Sequence, residues 1–222
     1  MIFENMDRIV FAGDSVTDMG SICPIGEDPF GTGLGNGYVR EINNMLAVWY
    51  PEKILRVTNC GISGNTSRDL LNRWERDVVN LHPQWVSICI GINDVWRQFD
   101  TPAMKDYAVS TEDYEANLRK MIEAAKAVAK GVIITTPYYM EPNKADFMRA
   151  RMQDYVDICE RLASEYGCIF VNFQEMYDKF FAYKHSSLIA WDRVHPNLIG
   201  ATLMAKEWLS KVGFDYNHTP EC

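Results

Sequence analysis

Five short apolar runs rich in β-branched residues, at 8–12, 54–59, 85–90, 132–136 and 168–172, constrain the fold of this chain more than any other feature. Each is followed by a polar or glycine-containing loop, the pattern of a strand buried on both faces of a sheet. Between them lie longer amphipathic stretches, at 38–50, 67–80, 111–130, 145–166 and 196–212, whose apolar spacing suits helices packed on that sheet. Strands alternating with helices predict an α/β fold, a three-layer α/β/α sandwich around a central five-stranded parallel sheet. Thr66, Ser67 or Thr111 can cap a helix, Gly131 and Gly167 stand where helices should stop, and Pro137 and Pro142 break the chain after the fourth strand. No repeat, low-complexity tract or linker interrupts the pattern, so one domain over residues 1–222 is expected.

Charge narrows the partners. With 22 Lys and Arg against 30 Asp and Glu the formal charge is -8, which argues against a nucleic-acid backbone and fits a small neutral or cationic substrate. The N-terminus MIFENMDRIVFAG lacks a basic region, a long apolar stretch and a small-residue cleavage site, and no later run approaches the roughly 18 residues of a membrane helix. A cytoplasmic protein without a membrane partner is expected. Cys23, Cys60, Cys89, Cys159, Cys168 and Cys222 form no C-x-x-C pair and read as buried reduced thiols rather than disulfides.

In an open α/β sheet, ligands bind beyond the carboxyl ends of the strands, so the loops there hold the candidate chemistry. After the first run comes Gly13-Asp14-Ser15, a hydroxyl at a strand end where a helix begins. After the second comes Asn59-Cys60-Gly61-Ile62-Ser63-Gly64-Asn65, whose glycines let the backbone approach a ligand and leave an N–H free. After the third comes Gly91-Ile92-Asn93-Asp94, where an Asn side chain can donate to an oxygen that turns negative during reaction. Before the last helix stands Asp192-Arg193-Val194-His195-Pro196, a carboxylate three residues ahead of a histidine that it can orient through Nδ1, leaving Nε2 to face a hydroxyl. Taken singly, each is more simply a cap or a turn. Together they supply a nucleophile, a base, an orienter and oxyanion donors, each from a loop opening at one edge of the sheet.

These four blocks, in this order and spanning positions 13 to 196, resemble those of the SGNH (GDSL-like) hydrolase superfamily, whose fold is flavodoxin-like. The strings GISGNTSRDLLNRW, GINDVWRQ and WDRVHP look like the bacterial intracellular acetylxylan esterases within it. The resemblance implies Ser15 as nucleophile, His195 as general base and acid, Asp192 as orienter, and the Ser15 N–H, the Gly61 N–H and the Asn93 side chain as oxyanion hole. It also implies an acetylated xylo-oligosaccharide as the small acyl-ester substrate, with no metal or organic cofactor. Asp14 and Asp18 flank the nucleophile too closely to orient a histidine facing it and read as loop-stabilising hydrogen bonders.

Trp96 and Trp191 border two of the blocks and are candidate platforms for a sugar ring or walls of an acyl pocket, with core packing an equal alternative for each. Arg97 and Arg193 read as solvated or salt-bridged. His82, His185 and His218 lack the partner spacing of metal ligands, which disfavours metal-dependent hydrolysis. A lysophospholipase, a thioesterase or a general short-chain carboxylesterase would use the same blocks, but no apolar insertion follows any of them to hold a long acyl chain. A carbohydrate-binding protein without activity would be expected to lack one of the four polar residues, all of which are present. A homo-oligomer is left open.

Overall fold

The computed structural model describes residues 1–27, 31–100 and 102–220. Its five strands are β1 (Arg8–Gly13), β2 (Arg56–Gly61), β3 (Trp85–Cys89), β4 (Gly131–Thr135) and β5 (Ile169–Val171), all parallel, in the order β2-β1-β3-β4-β5. This is the α/β sheet expected from the alternating pattern, with the strand order of a flavodoxin-like fold. The order reverses at β1, which sits between β2 and β3, and a crevice opens there because the chain leaves β1 and β3 on opposite sides. Apolar side chains cover both faces. One cluster gathers Phe3, Phe11, Tyr38, Ile42, Phe173 and Trp208; the other gathers Val10, Val86, Ile134, Tyr114, Tyr155 and Leu162.

The helices are α1 (Ser15–Asp18), α2 (Tyr38–Trp49), α3 (Ser67–Asn72), α4 (Trp74–Asp77), α5 (Ile92–Trp96), α6 (Thr111–Lys126), α7 (Phe147–Tyr166), α8 (Phe173–Phe181) and α9 (Leu198–Lys211). Capping explains several boundaries. Thr66 and Asp69 form a reciprocal capping box at the start of α3. Ser110, not Thr111, caps α6 by accepting from the Asp113 N–H at 3.1 Å. Gly167 ends α7 in the left-handed region at φ 63, where a side chain is disfavoured. The stretch 67–80 is not one helix, because the chain turns at Arg73 between α3 and α4. Strand β2 starts two residues later than its apolar run, leaving Ile54 exposed. Helices α5 and α8 arise where loops were expected, just past the ends of β3 and β5. Of the cysteines expected to be buried, Cys60, Cys89 and Cys159 are, Cys168 is partly covered, Cys23 is exposed, and Cys222 lies outside the described residues. No described helix is long and apolar enough to cross a membrane.

Trp208 lies at the centre of one face, stacked 5.7 Å from Phe3, tilted 5.1 Å from Phe11, and donating from Nε1 to Ser87 Oγ at 3.0 Å. Trp191, by contrast, is 90% exposed. Trp208→Ala is expected to lower unfolding free energy by about 3 to 5 kcal/mol in urea titrations, while Trp191→Ala should change it by no more than about 0.5 kcal/mol. Equal losses would mean that Trp208 does not anchor this core.

Candidate active site

The site is assembled from the ends of β1, β2 and β3 and from the loop before α9. Ser15 is the first residue of α1, two positions beyond the last residue of β1, and Asp14 caps that turn by accepting the Val16 N–H at 3.0 Å. A Cβ on Gly13 would strike the Cys89 carbonyl oxygen and the Thr17 side chain, so only glycine lets α1 fold back this tightly over the sheet. Opposite Ser15, Asp192 builds the turn that presents His195. Its Oδ1 accepts the Val194 and His195 N–H groups at 3.0 and 2.9 Å, and its Oδ2 meets His195 Nδ1 at 2.5 Å. Arg193 adopts φ 63 within that turn, and its carbonyl accepts from the Met140 N–H at 2.9 Å, tying the loop to the segment after β4.

The Ser15 Oγ lies 2.8 Å from His195 Nε2. With the Nδ1 proton directed at Asp192, Nε2 is an acceptor and the serine hydroxyl donates to it. Burial pushes the Asp192 carboxyl up, but the His195 ring, the His195 and Val194 N–H groups and the charge of the imidazole together bring it below its usual value, so it remains an anion. Such an arrangement can deprotonate a hydroxyl as it attacks and return the proton to a leaving group.

The donors to an oxyanion divide differently from expectation. Gly61 is buried at the end of β2, and its N–H already donates to Asn59 Oδ1 at 2.9 Å; it is therefore not available to a substrate oxygen. The Asn59 side chain is itself an internal strut, donating to the Thr17 and Leu34 carbonyls at 2.7 and 2.9 Å. Three residues on, Gly64 is exposed in the left-handed region at φ 83. Among the described residues no acceptor is bound to its N–H or to that of Ser15. Asn93, 2% exposed on α5, donates from Nδ2 to the Asn65 carbonyl at 3.0 Å and has one further hydrogen to offer.

Trp96 and Trp191 both reach the histidine side of the site. The Trp96 ring is tilted 6.1 Å from the His195 ring. Trp191 is not a core residue: with Ser187, His195, Pro196 and Asn197 it borders an open hollow of about 350 Å³.

A family model of the GDSL-like lipase/acylhydrolase family matches residues 11–203. The chain belongs to that family. An acetylxylan esterase of Geobacillus stearothermophilus is 44% identical over 210 residues, 95% of either chain. The crystal structure of Axe2, an acetylxylan esterase from the same organism, superposes with a TM-score of 0.94 at 44% identity over 97% of this chain and 98% of that one. LAE5, an alpha/beta hydrolase enzyme from the metagenome of Lake Arreo, Spain, superposes at 0.93 with 44% identity, over 96% and 98%. Structures of Axe2 described as catalytic mutants carry alanine in place of a serine, a histidine and an aspartate. This GDSL-family chain is a carboxylic ester hydrolase.

Several residues that build the GDSL-family site were not evident from its motifs. Arg73 is buried and donates to Asn65 Oδ1 at 2.7 Å, to the Gly13 carbonyl at 3.0 Å and to Asp77 at 3.3 Å, joining the first and second loops. Asp18, read as a loop stabiliser, accepts from Ser63 Oγ at 2.6 Å and from the Ser21 N–H at 3.0 Å and so pins the second loop to α1. Asp94 does the same for α3, accepting from Ser67 Oγ at 2.5 Å and from its N–H. Arg97, expected to be solvated or salt-bridged, pairs with Asp100 but also donates to Asn93 Oδ1 at 3.0 Å; Arg193 pairs with Glu141 at 2.8 Å. The spacing of Asn93 and Arg97, four residues apart, was the one available signal, and it has meaning only once that segment is known to be helical.

Asp14 and Asp94 are both buried, and desolvation pushes their carboxyls up to about 7 and about 6. A carboxyl raised on folding holds its proton in the native state where the unfolded chain has lost it, so stability falls with rising pH between the unfolded and the folded values. Asp14→Asn keeps an acceptor for the Val16 N–H but removes this titration. Between pH 4.5 and 7 the wild type should therefore lose up to about 1.4 kcal/mol per pH unit relative to the variant. Urea titrations across that range test it, and parallel pH profiles would refute a raised Asp14.

Proposed function

We propose that the chain removes acetyl groups from xylo-oligosaccharides through an acyl-enzyme on Ser15, and the observation that carries this chemistry is the contiguous Ser15–His195–Asp192 relay at 2.8 and 2.5 Å. The substrate class rests on 44% identity to an acetylxylan esterase across 95% of the chain. As Ser15 Oγ bonds to the ester carbonyl carbon, its proton passes to His195 Nε2 and the carbonyl oxygen becomes an anion. The carbon–oxygen bond to the sugar then breaks, and Nε2 returns the proton to the departing sugar hydroxyl. Water repeats the sequence on the acetyl-serine, releasing acetate and restoring Ser15. Asp192 stays ionised throughout, holding the ring and stabilising its cationic form.

The oxyanion is received by the N–H groups of Ser15 and Gly64 and by Asn93 Nδ2, with Gly64 taking the part first given to Gly61. The free Gly64 N–H in an exposed left-handed turn supports this choice, as does the bond that occupies Gly61. Trp191, standing out from the hollow beside His195, offers a flat face for a xylose ring, while the bulk of the sugar remains outside. A cytoplasmic setting goes with this reading, since the Cys60, Cys89 and Cys159 thiols are free, as a reducing compartment keeps them.

Acetate release from acetylated xylo-oligosaccharides should be readily measured and should fall by about a millionfold in Ser15→Ala. Asn93→Ala should lower kcat by about a hundred- to a thousandfold with KM little changed, because the donor acts on the oxyanion more than on the ground-state carbonyl. Acetyl esters should outpace octanoyl esters; faster turnover of long-chain lysophospholipids would replace the carbohydrate reading. In a crystal structure of the enzyme labelled by an organophosphonate, the phosphorus should sit on Ser15 with an oxygen within hydrogen-bond reach of the Gly64 N–H. An oxygen directed at Gly61 instead would reverse that assignment.

A further inference from the structure

An amide side chain carries an acceptor and a donor at two ends of nearly equal shape, and only the donor can stabilise an oxyanion. Something must therefore decide which way Asn93 points. Its two neighbours do so jointly. Arg97 Nη2 donates to Asn93 Oδ1 at 3.0 Å, and the Asn65 carbonyl accepts from Nδ2 at 3.0 Å. A guanidinium has no acceptor and a carbonyl has no hydrogen, so a half-turn of the amide would break both bonds and oppose like groups.

We propose that Arg97 is a positioning residue of this esterase, locking the amide of Asn93 with its donor toward the reacting carbonyl and strengthening that donor by drawing charge through the amide. The inference rests on the oxyanion role given to Asn93 above. The two residues lie four apart, Asn93 within α5 and Arg97 at its end, which puts them on one face. Arg97 is itself held from two other directions: its guanidinium pairs with Asp100 and lies over the Trp96 ring at 5.0 Å. Its side chain is only 19% exposed, so its charge acts on the amide with reduced screening by water. Neither Ser15 nor His195 is bonded to it. Hydrogen bonds from a cation are stronger than those between neutral groups, and one made to the oxygen of an amide makes its N–H a better donor.

A double-mutant cycle measured as kcat on an acetyl ester tests this. Arg97→Met keeps a hydrocarbon arm against Trp96 and removes every donor. It should lower kcat by about tenfold or more, less than the hundred- to thousandfold expected for losing the oxyanion donor itself, and leave KM within about twofold. In an Asn93→Ala background the same substitution should change kcat by less than about twofold, since its effect has no route left. Arg97→Lys, which can still donate to Oδ1, should recover part of the loss. An equal factor in both backgrounds, or wild-type kcat in Arg97→Met, overturns the positioning role even where Asn93→Ala is impaired. Wild-type kcat in Asn93→Ala instead removes the oxyanion reading and the proposal with it. Should Arg97→Met fail to fold by circular dichroism, Arg97→Leu, which also lacks any donor, runs the same cycle with the same expectations.

Discussion

Everything in the catalytic crevice depends on β1 being hydrogen-bonded in parallel on both sides. Parallel strands cannot be joined by tight hairpins; each must return across a face of the sheet, so all five end at the same edge. The register then aligns Gly13 with Gly61 on one side and with Cys89 on the other. Three loops that are distant in sequence consequently leave the sheet at one level, and the first places Ser15 immediately above it. A shift of one residue in either pairing would turn the apolar side chains of β1 to the opposite faces, so the buried clusters that hold the register also hold Ser15 in place.

Beneath that edge the loops are joined by a buried polar frame rather than by apolar packing. Arg73 reaches the first loop at Gly13, the second at Asn65 and its own helix pair at Asp77, while Asn59 ties the turn after β1 to the end of β2. Burial lowers the Arg73 pKa, yet the guanidinium remains compensated by Asp77 and by bonds to neutral oxygens. Such a group contributes little net stability as a pair, but its removal would strand Asp77 and the loop carbonyls without partners. Its contribution is a fixed geometry. The second loop therefore enters the site with its backbone already held, and the histidine side, bordered by the exposed Trp191, is left open.

The sheet was legible because a strand buried on both faces has to be continuously apolar, and the five runs state that directly. The meeting of Ser15, His195 and Asp192 was legible because the proposed chemistry restricts residue type: few side chains can replace a serine, a histidine and the carboxylate that orients it. Short helices such as α5 and α8 were not, since five to nine residues carry too little periodicity to distinguish them from turns. The contrast between the occupied Gly61 N–H and the free Gly64 N–H was beyond the sequence for a different reason. Both are glycines in one loop, and the difference lies in a backbone N–H that the side chain of Asn59 occupies, a bond that no motif encodes. Arg73 and Arg97 escaped similarly, because an arginine is ordinarily solvated and only tertiary structure tells when it is a strut.

The Ser15–His195 hydrogen bond joins residues separated by 180 positions. Ser15 stands on the first helix after β1, and His195 on the loop that α9 anchors to the sheet. Under the proposed mechanism ester turnover requires α9 to be docked on the sheet, so the activity of a preparation counts the molecules in which these two distant segments have met.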